Sequence, residues 1–167
     1  KSKNGEPPVL LCNFVDVYYN WAITTSMSKT FMKATATPKQ IEKFALRKGM
    51  VAITKDSETR DDIGISTYIA DDMKNVVLGY HCALITPQNT KLNGKYLNAL
   101  FHTRYAQKYF ENNASGSGQR YTLTSDIISN FPVPLIDMNS QKKIGNFFSQ
   151  IDEKIAFNNQ INDNLAA

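Results

Sequence analysis

Cysteine is scarce in this sequence. Cys12 and Cys82 are its two cysteines, far apart in apolar, strand-like runs. A disulfide framework is thereby excluded, and both residues read as reduced core thiols of a cytoplasmic protein. Histidine is equally scarce, and no CxxC, HExxH or clustered His/Cys pattern occurs, so a zinc site is not expected. No GxGxxG or GxxxxGK[ST] is present to cradle a nucleotide phosphate. The Asn/Asp-Pro-Pro-aromatic tetrapeptide expected of an enzyme that methylates an exocyclic base amine is missing too. No apolar run approaches a membrane span, and no basic segment followed by an apolar one opens the chain as a secretion signal would. The chain starts at Lys1 without a methionine, as a fragment would.

The remaining composition is that of an ordinary folded domain. Of 167 residues 42% are hydrophobic and 20% charged, enough for one core and an appendage. The net charge of +4 favours an anionic partner, though only weakly.

Taken in order, residues 9–19 (VLLCNFVDVYY) are rich in strand formers and are expected to enter the sheet core. Residues 20–36 fit either a long loop or an irregular hairpin. Thr37-Pro38-Lys39-Gln40 predicts a helix start, with Thr37 as N-cap, Pro38 at the first helical position and Gln40 closing a capping box. That helix runs to about Leu46 and ends near Gly49. Residues 50–54 read as a buried strand leading into a charged loop over 55–64. Short strands follow at 66–70, 76–78 and 81–86, separated by Asp71-Asp72 and Gly79 and closed by Pro87. Residues 95–110 predict a second helix burying Leu97, Leu100, Phe101 and Tyr105. Residues 112–118 (NNASGSG) are a mobile loop by composition, and 125–130 fit one helical turn. The prolines of FPVPL force 131–135 to be extended.

A long helix closes the chain over 140–165, about 38 Å at ~1.5 Å per residue. Ile144, Phe148, Ile151, Ile155, Ile161 and Leu165 recur at intervals that mostly share one face, and Asn158 keeps register with Ile144, Ile151 and Leu165. An Asn on such a seam fixes register and partner number at some loss of stability. One alternative is an amphipathic helix folded back on its own domain, but a seam apolar almost to the end favours a projecting helix that pairs with another. The expected class is therefore α+β: a mixed, strand-rich globular domain over 1–138 and a coiled-coil-forming helix over 139–167.

Few residues offer chemistry. Asp56, Glu58, Asp61 and Asp62 read as a solvated loop laced with its own Lys55 and Arg60, because a two-metal site needs carboxylates converging from several elements. His81 reads as a half-buried strand residue, unable to activate Cys82 because strand neighbours face opposite ways. The chain is thus not expected to be a catalyst. Surface recognition remains. Lys29, Lys33, Lys55, Arg60, Arg104 and Arg120 lie in or beside loops with Ser57, Thr59, Ser117, Gln119 and Tyr121. Arg and Gln suit base edges, while Lys and Ser suit phosphates.

Four segments carry a resemblance: VAITKDSETRDDIG at 51–64, GYHCALITP at 79–87, NGKYLNALFHT at 93–103, and FPVPL followed by SQKKIGNFFSQIDEKIAFNNQIN up to Asn162. In order and spacing the chain resembles the specificity subunit of type I restriction–modification systems: one target-recognition domain with the long helix that follows it. Residues 20–36 match least, as a segment that helps set the target would.

The resemblance implies a non-catalytic domain that reads one half of a split double-stranded DNA target. Its helix would act as a spacer that packs on another helix and docks methyltransferase subunits. No cofactor would sit on this chain, S-adenosylmethionine being held by the methyltransferase, and an endonuclease/translocase subunit would complete the assembly. Members of the family usually carry two recognition domains and two such helices. One of each implies either a fragment, with a second recognition unit in the same chain, or a half-length subunit that forms a homodimer. A two-fold axis would then give a palindromic split target. The alternatives are the same domain within a fused single-chain restriction–methylation enzyme, and a protein-interaction scaffold.

Overall fold

The structure is a computed structural model and describes residues 5–116 and 119–165. The chain begins with strand β1 (Pro8–Cys12) and then turns at Asn13 into helix α1 (Phe14–Tyr19). The stretch 9–19 is thus half strand and half helix, a correction to its expected reading as one strand. The Asn13 amide donates to Asp16 Oδ2 at 2.7 Å, which sets a carboxylate in the first helical turn. Strand propensity in Val15, Val17 and Tyr18 yields to this local cap.

Residues 20–36 are neither a long loop nor a hairpin: β2 (Ala22–Ile23) pairs with Tyr68 and Ile69, a 3-10 helix covers Thr25–Thr30, and β3 (Met32–Thr35) pairs with β1 in another sheet. Helix α2 (Pro38–Phe44) starts as expected. Thr37 accepts from the Gln40 amide, Gln40 reaches back to the Thr37 amide, and Pro38 sits in the first turn. It ends slightly early, giving way to β4 (Ala45–Leu46).

Strand β5 (Val51–Thr54) is buried throughout and runs directly into β6 (Asp56–Ser57), so the 55–64 segment is not all loop. Strands β7 (Ser66–Ile69), β8 (Met73–Leu78) and β9 (Cys82–Ile85) follow. The expected helix at 95–110 is two: α3 (Gly94–Phe101) and α4 (Arg104–Asn113). The break falls at Thr103, whose hydroxyl donates to Leu100 O at 2.7 Å and accepts from the Ala106 amide, ending one helix and capping the next. The turn also leaves Tyr105 exposed, contrary to expectation. Next come β10 (Ser115–Gly116), β11 (Tyr121–Thr122), α5 (Ser125–Ser129), an irregular 131–137 with a tight turn where Ile136 N donates to Pro134 O, and the long α6 (Met138–Leu165). Ser117 and Gly118 lie outside the described residues, and so does that part of the expected 112–118 loop.

Among the described residues the strands form three sheets, ordered β3-β1-β8-β4, β2-β7-β5-β9 and β10-β11-β6. Cys12 and Cys82 are buried, free thiols in the core between the two larger sheets, beside Val17, Ile69 and Leu78. Burial pushes both well above the ordinary thiol range, so neither is a ready nucleophile. A second core gathers Val51, Ile53, Leu97, Phe101, Phe110, Leu123 and Phe131 beneath the small sheet.

Helix α6 packs on α3 through an unexpected row. Gln141, Gly145 and Ser149 are buried, four residues apart, while the apolar positions are not. Gln141 accepts from the Asn93 amide at 2.9 Å and donates to Lys91 O and Ile136 O, tying the start of α3 to the start of α6. From Glu153 to Leu165 every residue is exposed.

Candidate nucleic-acid interface

The small β10-β11-β6 sheet holds a polar cluster. The chain leaves the buried sheet at Thr54, makes an excursion, and returns at Ile65. Thr54 N donates to Ile65 O at 2.8 Å, and Ile65 N donates to Thr54 Oγ1 at 3.0 Å, closing the base of that excursion. Within it, Asp56 pairs with Thr122 and Ser57 with Tyr121 across the β6–β11 ladder. Lys55 N donates to His81 O and Leu123 N to Lys55 O, which draws the start of β9 alongside.

At the centre stands the Asp56 carboxylate. Its Oδ1 accepts from the Thr122 hydroxyl at 2.9 Å, and its Oδ2 lies 2.6 Å from His81 Nδ1 and 3.3 Å from Arg120 Nη2. Burial opposes its charge, but the hydrogen bonds from His81 and Thr122 and the positive charge of Arg120 hold its carboxyl below the ordinary aspartate range. Two expectations are corrected here. The loop carboxylates do not pair with their own Lys55 and Arg60: Asp56 pairs with His81 and Arg120, and Asp62 accepts from the Tyr18 hydroxyl at 2.9 Å on both oxygens. His81 precedes β9 rather than lying in it, and its ring faces Tyr80 at 3.7 Å between centroids. No group of three or more His, Cys, Asp or Glu able to hold a metal occurs among the described residues.

The depressed carboxyl gives a sign for the pH dependence. Asp56 stabilises the folded state above its unfolded pKa of about 3.9, and that contribution is lost as pH falls through its lower folded value. The denaturation midpoint should therefore fall as the pH drops below the ordinary aspartate range, and Asp56→Asn should flatten that part of the profile. Equal acid sensitivity in the variant would exclude Asp56 as a source.

Around this cluster lies a cleft of about 710 Å³. Phe14, Val15, Tyr18 and Tyr19 of α1 form one wall, and Ser57, Glu58, Thr59, Gln119 and Arg120 face them. Four of the expected DNA-binding residues thus line one cleft: Ser57, Thr59, Gln119 and Arg120. Lys55 and Tyr121 support it through the β6–β11 ladder, and the Arg60 guanidinium stacks over the Tyr121 ring at 5.0 Å. Lys29 on the 3-10 helix, Lys33 on β3 and Arg104 at the start of α4 are not among its lining residues. Ser117 lies outside the described residues.

Sequence reasoning missed the α1 wall and the Asp56–His81–Arg120–Thr122 cluster. The wall carried a readable signal in Asn13 with Asp16 three residues on, a cap at the head of a helical spacing. The cluster carried none, because its hydrogen-bonded pairs join residues 25 to 66 positions apart.

The expected helix residues are presented differently. Ile144, Phe148, Ile151, Ile155, Ile161 and Leu165 are all exposed, as is Asn158, although Phe148 still meets Trp21 at 5.6 Å between ring centroids. The helix thus uses one face for its own domain and leaves another bare.

Residues 14–167 match the family model described as the type I restriction modification DNA specificity domain. The chain belongs to that family. It is also similar to the type I restriction enzyme HindI specificity subunit of Haemophilus influenzae, 28% identical over 163 residues. The alignment covers 97% of this chain and 34% of that protein, so this specificity domain spans about a third of the length of its curated relative. The matched region takes in the cleft, the small sheet and the whole of α6. No helix among the described residues is long and apolar enough to cross a membrane.

Proposed function

We propose that this chain supplies DNA sequence specificity to a type I restriction–modification assembly and carries out no catalysis itself. In this reading residues 1–138 recognise one half of a split double-stranded target, and the cleft beside the small sheet faces the DNA. The single observation that carries it is the convergence of Ser57, Thr59, Gln119 and Arg120 on one open cleft within a chain of this family. Arg donates and Gln both donates and accepts at base edges, and the hydroxyls suit phosphates. Lys29, Lys33 and Arg104, which do not line that cleft, are assigned to backbone phosphates.

Residues 139–167 serve as spacer and pairing helix. The bare face of Ile144, Phe148, Ile151, Ile155, Ile161 and Leu165, with Asn158 in register, supports a helical partner. That partner is a second recognition unit, in the same chain or a homodimer, together with methyltransferase subunits. S-adenosylmethionine belongs to those methyltransferase subunits, and an endonuclease/translocase subunit completes the assembly.

Selection from a randomised duplex pool, with methyltransferase subunits present and moderate salt, tests the recognition role. The expected result is an enriched short motif; a pool that stays random would favour a scaffold instead. For the helix, Ile151→Asp is expected to weaken association by at least about tenfold, since a charge would enter an apolar seam. Its 40% exposure means the domain's own stability should move by no more than about 0.5 kcal/mol. Light scattering that shows the assembly mass unchanged would contradict the seam.

A further inference from the structure

Arg120 is exposed yet held. Its side chain is 57% accessible, and it is fixed through one nitrogen only, Nη2, which lies 3.3 Å from Asp56 Oδ2 and 2.8 Å from His81 Nδ1. No bond from its Nη1 or Nε occurs among the described residues. Asp56 is the more buried member, only 15% accessible, with Oδ1 taken by Thr122 and Oδ2 by His81 and Arg120. His81 Nδ1 either donates to Asp56 or accepts from Arg120, and both arrangements leave the guanidinium against the carboxylate.

This arrangement has two consequences. A free arginine would lose much rotamer freedom on binding, whereas this one has lost part of it beforehand. The adjacent carboxylate also offsets the guanidinium charge and repels a phosphate. A phosphate-binding arginine gains from uncompensated charge; this one is left with oriented donors and little net charge. The matching ligand is a pair of neutral acceptors spaced for a guanidinium fork. Among base edges in the major groove, guanine presents that pair at N7 and O6, while adenine places a donor amine beside N7.

We propose that Arg120 reads a guanine in the recognised sequence and that Asp56 is its positioning residue, itself fixed by His81 and Thr122. This rests on the DNA-recognition reading above. The test starts from the motif selected by the full chain with its methyltransferase subunits. Binding is then measured to that motif and to every single base-pair substitution of it.

The wild-type chain is expected to lose affinity on the order of ten- to a hundredfold at one G·C pair that Arg120 reads. Arg120→Ala and Arg120→Lys should abolish discrimination at that pair and leave it intact elsewhere, since lysine keeps charge but not the fork. Asp56→Asn should weaken discrimination at the same pair and add nothing in the Arg120→Ala background. A merely structural role for Asp56 would instead act at every position, with or without Arg120. Thr122→Val removes only the Oδ1 hydrogen bond and serves the same comparison if Asp56→Asn folds poorly. Two results overturn the assignment while leaving DNA recognition standing. One is unchanged discrimination in the Arg120 variants. The other is an affinity loss uniform over all sequences with a salt slope reduced by about one, as a phosphate contact gives. A wild-type chain that selects no motif overturns the recognition reading itself.

Discussion

Replacing Phe110 by alanine is expected to destabilise the domain by about 3–5 kcal/mol, the range for truncating a fully buried phenylalanine. Its ring has no exposed surface and packs against Phe101 at 5.4 Å, Phe131 at 5.4 Å and Tyr109 at 5.5 Å between centroids. These neighbours come from α3, α4 and the 131–137 stretch, so they cannot collapse together into the vacated space without moving whole elements. A further contact links this core to the cleft. Gly64 takes φ +80° at the end of the 55–64 excursion, where an added Cβ would lie 2.6 Å from Phe110 Cδ2. Phe110 therefore backs the point at which that excursion rejoins the sheet. Chemical denaturation should give a lower midpoint for Phe110→Ala, with recognition lost alongside stability. A change below about 1 kcal/mol would mean that the second core is looser than its burial indicates.

Gly145→Val is expected to lift the start of α6 from α3, at a cost of about 3 kcal/mol from overpacking. Glycine inside a helix is itself unfavourable by roughly 0.5–1 kcal/mol relative to alanine, so its presence here calls for a packing reason. The reason is proximity: a Cβ at Gly145 would lie 2.6 Å from Lys95 Cβ and 2.9 Å from the Tyr96 amide nitrogen. Neither atom is the far end of a flexible side chain. The variant should show faster amide exchange across residues 141–149 and loss of the Trp21–Phe148 contact, while the β-sheets keep their protection. Unchanged exchange over 141–149 would mean that α6 tolerates the larger side chain without moving.

Much of the fold was legible because its signals are local. The Thr37–Gln40 capping box and the buried β5 run each depend on residues within a few positions of one another. The α1 segment was misread because Phe, Val and Tyr favour strands in general, while the decision lay in one cap at Asn13 and Asp16. The break between α3 and α4 was missed for a related reason. Apolar periodicity ran through His102-Thr103, but the Thr103 hydroxyl ended one helix and began another.

The site was less legible. The side of α6 that meets its own domain is built from Gln141, Gly145 and Ser149, and apolar periodicity cannot see a row of polar and small residues. What periodicity did see was the opposite property, a face left without cover. The Asp56 cluster depends on three chain segments meeting, and no local pattern announces that. Residue type and loop position mark Gln119 and Arg120 in the sequence; their meeting with Ser57 and Thr59 follows from the β6–β11 pairing.

The division between a DNA-reading domain and a partner-binding helix is tested most directly by hydrogen exchange on the full chain, with and without the duplex it selects. Added DNA is expected to slow exchange in β6, β11 and residues 119–122 and to leave α6 beyond Glu153 unchanged. Slowing along the exposed half of α6, with the cleft unaffected, would contradict that division.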